Sequence, residues 1–210
     1  MDLSLQESIS AMRKLHFDVE SQFLSFNRIV PYDHNPPEVY SPRLYSVLQN
    51  TCAQVISMMH TLSVLLGLSE NKKQQDFPFY YERLNSQGML SLQTVSPKEL
   101  PESKMTPFLI NNTEANSPSW WKKYNDTKHN LPEGAYNGNL ENVMYALGSL
   151  VILHNIAIQI SKIPKPIQIL DSHKWIIYSD DITNDLERLK LKAKSDYESR
   201  IFFYVCHFFN

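Results

Sequence analysis

The chain has 210 residues, of which 42% are hydrophobic and 20% charged, and a net charge of −2. A chain of this length buries one core without disulfides or metals, and its charge balance excludes a protein that coats duplex nucleic acid with a global basic field. Five glycines against twelve prolines favour helices joined by proline-punctuated loops over a many-turned β-fold.

The first helix is expected over residues 3–28. Leu5, Ile9, Met12, Leu15, Val19, Phe23 and Phe26 recur at helical spacing and share one stripe, with Glu7, Arg13, Lys14 and Glu20 outside it. "VPYDHNPPEVY" ends that helix, because consecutive prolines remove donors and push preceding residues toward extended backbone. Ser41 and Pro42 then supply a cap and a first helical residue. The second helix buries Leu44, Val47, Leu48, Cys52, Val55, Met59, Leu62 and Leu66 and stops at Gly67.

Residues 70–116 read as a loop-rich insertion over the helical core, with a short helix around 79–84 and weakly alternating extended pieces. Ser117 and Pro118 repeat the cap-plus-proline start and open a short third helix in "SPSWWKKYNDTKHN". After the loop "LPEGAYNGN", Asn139 caps a helix over 140–161 whose stripe is Leu140, Val143, Leu147, Leu150, Val151, His154 and Ile158. Residues 162–182 carry a small hairpin, 167–170 against 175–178 around a turn at 171–174. A last helix follows over 183–204, and the apolar tail "IFFYVCHFF" docks on the domain or meets a partner. The whole is one helical domain over 1–210, an all-α, up-and-down bundle of four to five helices with an irregular insertion.

Cys52 and Cys206 lie far apart and fit no metal spacing; Cys52 sits in an apolar helical pattern and reads as a small buried hydrophobe. The reading is a reducing, cytoplasmic compartment, since "MDLSLQESIS" lacks the basic start and apolar core of a secretory signal. The apolar run 143–160 contains His154, Asn155 and Gln159 with helical periodicity, so it reads as a core helix and not as a membrane span. There is no glycine-rich phosphate loop, nucleophile elbow or Cys-x-x-Cys motif, and His60 lacks a ligand spacing. Neither a cofactor nor a metal is expected.

"SPSWWKKYNDTKHN" carries the chemistry. On a wheel of about 100° per residue, Trp121, Tyr124, Asn125, Lys128 and His129 fall within roughly 140°, while Lys122, Lys123, Asp126 and Thr127 take the other side. The first stripe mixes two aromatic rings with an amide, an ammonium and an imidazole. Polar groups in such company either line a cleft or close a hydrogen-bond network.

A long helix pair followed by an Arg-polar-x-x-x-His motif and another apolar helix is the pattern of the HEPN superfamily, and "YNDTKH" resembles it at the polar position, Asn125, and at His129. "WWKKYN..KH" is also similar to a set of uncharacterised prokaryotic helical proteins. The HEPN resemblance covers residues 41–66 and 117–161. It implies either a metal-independent ribonuclease of a defence or toxin–antitoxin type, or a non-catalytic RNA- or nucleotide-binding form, assembled as a homodimer. Carried over, His129 and Asn125 take the catalytic places, with His129 as acid/base because imidazole titrates near neutrality. Lys128 and Asn125 would hold the phosphate. Tyr124 stands where the family has its arginine, and a tyrosine supplies no permanent positive charge, so binding survives the departure better than cleavage.

Two other expectations stand beside this one. A non-enzymatic helical interaction module would bury the same polar residues in a closed network and bind its partner through the tail and insertion. A small-molecule pocket inside the bundle would be lined by Trp121, Tyr124 and His154. Solvent exposure of His129 separates the first two readings.

Overall fold

Two long apolar helices form the axis of the molecule: α2 (Pro42–Leu65) and α5 (Leu140–Ser161) make its most extensive contact. A computed structural model describes residues 3–68, 76–98, 100–110, 116–129, 134–161 and 175–178. The fold is mainly α-helical, with α1 (Leu3–Asn27), α3 (Phe77–Asn85) and α4 (Ser119–His129) packed around that axis. A short ladder joins β1 (Thr94–Pro97) to β2 (Trp175–Tyr178).

The local signals explain most of these boundaries. The Ser41 hydroxyl accepts from the Leu44 N–H at 3.0 Å and so caps α2. Asp76 does the same for α3 through Phe79 at 3.1 Å. The Asn139 side chain accepts from Asn142 at 2.9 Å at the start of α5. The α2 helix stops before Gly67, whose φ is +66°. The apolar window Leu140–Ala157 of α5 is 78% buried inside the bundle, because α1, α2 and α4 all pack on it. Its faces are apolar nearly all round, as expected of a helix surrounded by others.

The described parts of the 70–116 segment are more deeply built in than a loop over the core. Phe77, Tyr80, Leu84, Met89, Leu90, Val95, Met105 and Phe108 are all buried and belong to the same apolar cluster as α2 and α5. Val95 exchanges two backbone hydrogen bonds with Met105, at 2.9 and 2.8 Å, which folds this segment on itself. Its antiparallel partner on the other side is β2, with Thr94 opposite Tyr178 and Pro97 opposite Trp175. The strand expected at 175–178 is therefore present, but its described partner is the distant β1. The other half of the expected hairpin, 167–170, lies outside the described residues, as do the last helix over 183–204 and the apolar tail.

The α1 helix differs in its facing from the expected stripe. Leu15 is 53% exposed, whereas Arg13, His16 and Glu20 are buried alongside Ile9, Val19 and Phe23. Arg13, His16, Glu20 and Phe23 follow helical spacing as regularly as the apolar set does, so periodicity allows either roll. The packing of His16 against His154 of α5 selects this one.

Candidate functional site

The α4 helix is divided sharply into an anchored face and a free one. Pro118 stands just before the helix, and its carbonyl accepts from Trp121 and Lys122, both at 3.1 Å. The Trp120 indole N–H donates to the Pro107 carbonyl at 2.7 Å. Trp121 stacks on Phe77, with centroids 4.4 Å apart, and stands perpendicular to Trp120. One turn further, the Thr127 hydroxyl lies 2.7 Å from the Lys123 carbonyl and 2.9 Å from that of Gly134, sharing one proton between them. A Cβ on Gly134 would meet the Thr127 Cα at 2.4 Å, so glycine alone allows the chain to cross the helix there. The anchored face is thus Trp120, Trp121 and Thr127, with Tyr124 half-buried beside Trp121.

That face is turned from the one expected. Thr127 belongs inside, while Lys128 and His129 are exposed and Asn125 is half-buried. The roll is set by Trp120, whose bulk and N–H both require an interior place. Lys122, Asn125 and His129 consequently lie along one outer ridge, three and four residues apart. Lys123 and Lys128 flank it, and Asp126 is also exposed. Three lysines against one aspartate make this a local basic surface on a chain of net charge −2. Lys128 and His129 occupy the last turn, where cations are favoured by the unpaired carbonyls. Tyr124, in the position of the resembled arginine, is held against Trp121 with centroids 5.1 Å apart, and burial pushes its phenol up.

His154 stands elsewhere. Its ring neighbour is His16, at a centroid separation of 5.1 Å and an angle of 68°. Both residues are fully buried. None of their four ring nitrogens has a hydrogen-bond partner among the described residues. Burial, followed by the charge of Arg13, pushes His16 down to about 4. Burial, then His16, then Arg13 hold His154 well below the usual imidazole range. The pair is therefore neutral at physiological pH. His154 thus packs on a histidine of α1. Arg13, His16 and Glu20 share one helical face with Phe23, and the structure turns that face inward.

Among the described residues, no group of three or more His, Cys, Asp or Glu side chains is arranged to hold a metal ion. Cys52 is buried in apolar surroundings that push its thiol well up, which makes it a packing residue and not a nucleophile. Comparison with family models, with curated proteins and with solved structures finds no match for this chain.

Proposed function

We propose that the chain binds RNA, or a nucleotide, through the outer face of α4, with Lys122, Lys123 and Lys128 on the phosphates and Asn125 and His129 beside them. The observation that carries this reading is the outer ridge of exposed ammonium and imidazole groups, with the half-buried Asn125 amide among them, on a helix whose other face is fixed by Trp120, Trp121 and Thr127. With the helix already fixed, binding has only the side chains' own rotamers left to order. Lysines act on phosphate as point charges, and an amide adds a directional donor. The resemblance of "YNDTKH" to the HEPN motif supports the same reading. Tyr124 favours binding over cleavage, since no fixed cation occupies its place to stabilise a phosphorane-like charge. The interaction-module reading places its partner on the 70–116 insertion and on the apolar tail, and the tail is outside the described residues.

The test is fluorescence anisotropy with a labelled mixed-sequence RNA of about 12 nucleotides, a length within the usual site size. The wild type is compared with a Lys122→Gln/Lys123→Gln/Lys128→Gln variant and with His129→Ala. Single-strand affinity falls with salt at about 0.7 logarithmic units per phosphate contact, so the triple variant is expected to lose about two units of that slope. No binding by the wild type at low salt, or undiminished binding by the triple variant, sinks the proposal. Integrity of the RNA after incubation with wild type and His129→Ala, without metal, reports whether any cleavage accompanies binding.

A further inference from the structure

Two connectors meet beside α4. One ends at Tyr40, immediately before the Ser41 cap of α2. The other contains the 3₁₀ turn Ala135–Asn137, which leads into α5. They are fastened together by a backbone bridge between Tyr40 and Asn139. Further bonds run from Leu140 N–H to the Val39 carbonyl at 2.8 Å and from Glu141 N–H to the Pro37 carbonyl at 3.0 Å. Gly138 is pressed so closely on α2 that a Cβ there would meet the Tyr45 Cα at 2.6 Å. This backbone has little freedom to move.

On it stand Tyr40 and Tyr136, with ring centroids 4.5 Å apart at 64°. They are 49% and 60% exposed. Among residues whose side chains are described, no other Phe, Tyr or Trp is exposed. The two exposed aromatics among the described side chains are thus in contact with each other. They also adjoin the basic helix: the Asn137 amide, next to Tyr136, donates to the Lys123 carbonyl at 3.3 Å. The Asn142 amide holds the Asn137 carbonyl at 2.9 Å. An edge-to-face pair leaves one ring face open while the second ring fixes its angle.

From this juxtaposition we infer that the Tyr40–Tyr136 pair is a stacking site for an unpaired base, which makes the ligand of the α4 surface single-stranded RNA. The inference rests on the RNA-binding reading and narrows it. A base in a duplex keeps both faces covered by its neighbours, whereas a single strand can turn one base onto a tyrosine ring while its phosphates lie along the lysines. Stacking adds affinity without sequence choice, because every base has a π-face.

The experiment measures anisotropy of three labelled RNAs of equal length: a single strand, a duplex, and a single strand with abasic sites replacing its bases. Tyr136→Ala, Tyr40→Ala and the ring-retaining Tyr136→Phe are compared with the wild type. The tyrosine-to-alanine changes are expected to weaken single-strand binding about five- to hundred-fold, with the salt slope unchanged. Tyr136→Phe should hold most of the affinity, and the abasic strand should bind all four proteins equally. Equal weakening on the single strand, duplex and abasic strand, or none on the single strand, overturns the stacking site while leaving the lysine surface standing. Failure of the wild type to bind any of the three removes the RNA reading itself, and this inference with it.

Discussion

Acidification is expected to loosen the bundle through His16 and His154. Both imidazoles are fully buried, lie edge to face, and have no hydrogen-bond partner among the described residues for any ring nitrogen. An unfolded chain protonates His16 as the pH falls through 6.5, whereas the folded chain holds it neutral until about 4. Across that window the unfolded state binds more protons, so stability is full above 6.5, declines as pH falls, and levels off below about 4. The width of the window multiplied by ~1.4 kcal/mol per pH unit gives a loss of about 3 kcal/mol for His16. His154 is shifted in the same direction and adds to the loss. Once one ring is charged it repels the second, so the pair titrates as a unit.

Urea unfolding followed by tryptophan fluorescence, with Trp120 and Trp121 as buried reporters, measures this directly between about pH 7.5 and pH 4.5. A His16→Leu/His154→Leu variant has nothing to protonate there, and removing both partners of a buried polar contact is close to neutral or stabilising. It should match or exceed the wild type at neutral pH and exceed it at about pH 5 by at least about 2 kcal/mol, the share of His16 alone. Wild-type stability that is flat across this range refutes the reasoning. So does a pH dependence that persists unchanged in the double variant, since the acid sensitivity would then reside in other groups.

Two stability predictions follow from the α4 anchor. Gly134→Ala places a methyl within 2.4 Å of the Thr127 backbone and should cost about 1–3 kcal/mol in thermal or urea unfolding; an unchanged midpoint would mean that this crossing is looser than drawn. Trp120→Phe removes the donor from the Pro107 carbonyl and should cost about 1–3 kcal/mol before any cavity is counted, whereas a loss near zero would show that water replaces the indole.

The helices were largely legible because their ends are chemically marked. Ser41-Pro42, Asn139 and Gly67 act locally, and each marks the boundary that its own side chain or backbone dictates. The facing of α1 and α4 was less legible, because facing is settled by what the neighbouring helices present. Arg13, His16 and Glu20 look like an outer face until His154 is placed opposite them. Thr127 looks polar until Gly134 passes over it. The β1–β2 pairing joins segments nearly eighty residues apart, and local alternation cannot name a partner at that distance. Of the site, the α4 motif was visible as a composition anomaly. The Tyr40–Tyr136 contact was not, since two isolated tyrosines in proline- and glycine-rich connectors carry no periodic signal.

The division of α4 into two faces also decides how binding experiments can be read. Trp120, Trp121 and Thr127 hold the helix through stacking and hydrogen bonds that involve none of the outer side chains. Exposed lysines away from such anchors contribute within about 0.5 kcal/mol to stability. Lys122, Lys123 and Lys128 can therefore be neutralised together without unfolding the surface they stand on. The same holds for Tyr136, whose ring is mostly in water while its turn is secured by Asn137 and Asn142. His154 offers no such separation, because any change to it alters the core. A loss of binding in the lysine or tyrosine variants thus reports on the surface itself, whereas a loss in a His154 variant would report first on folding.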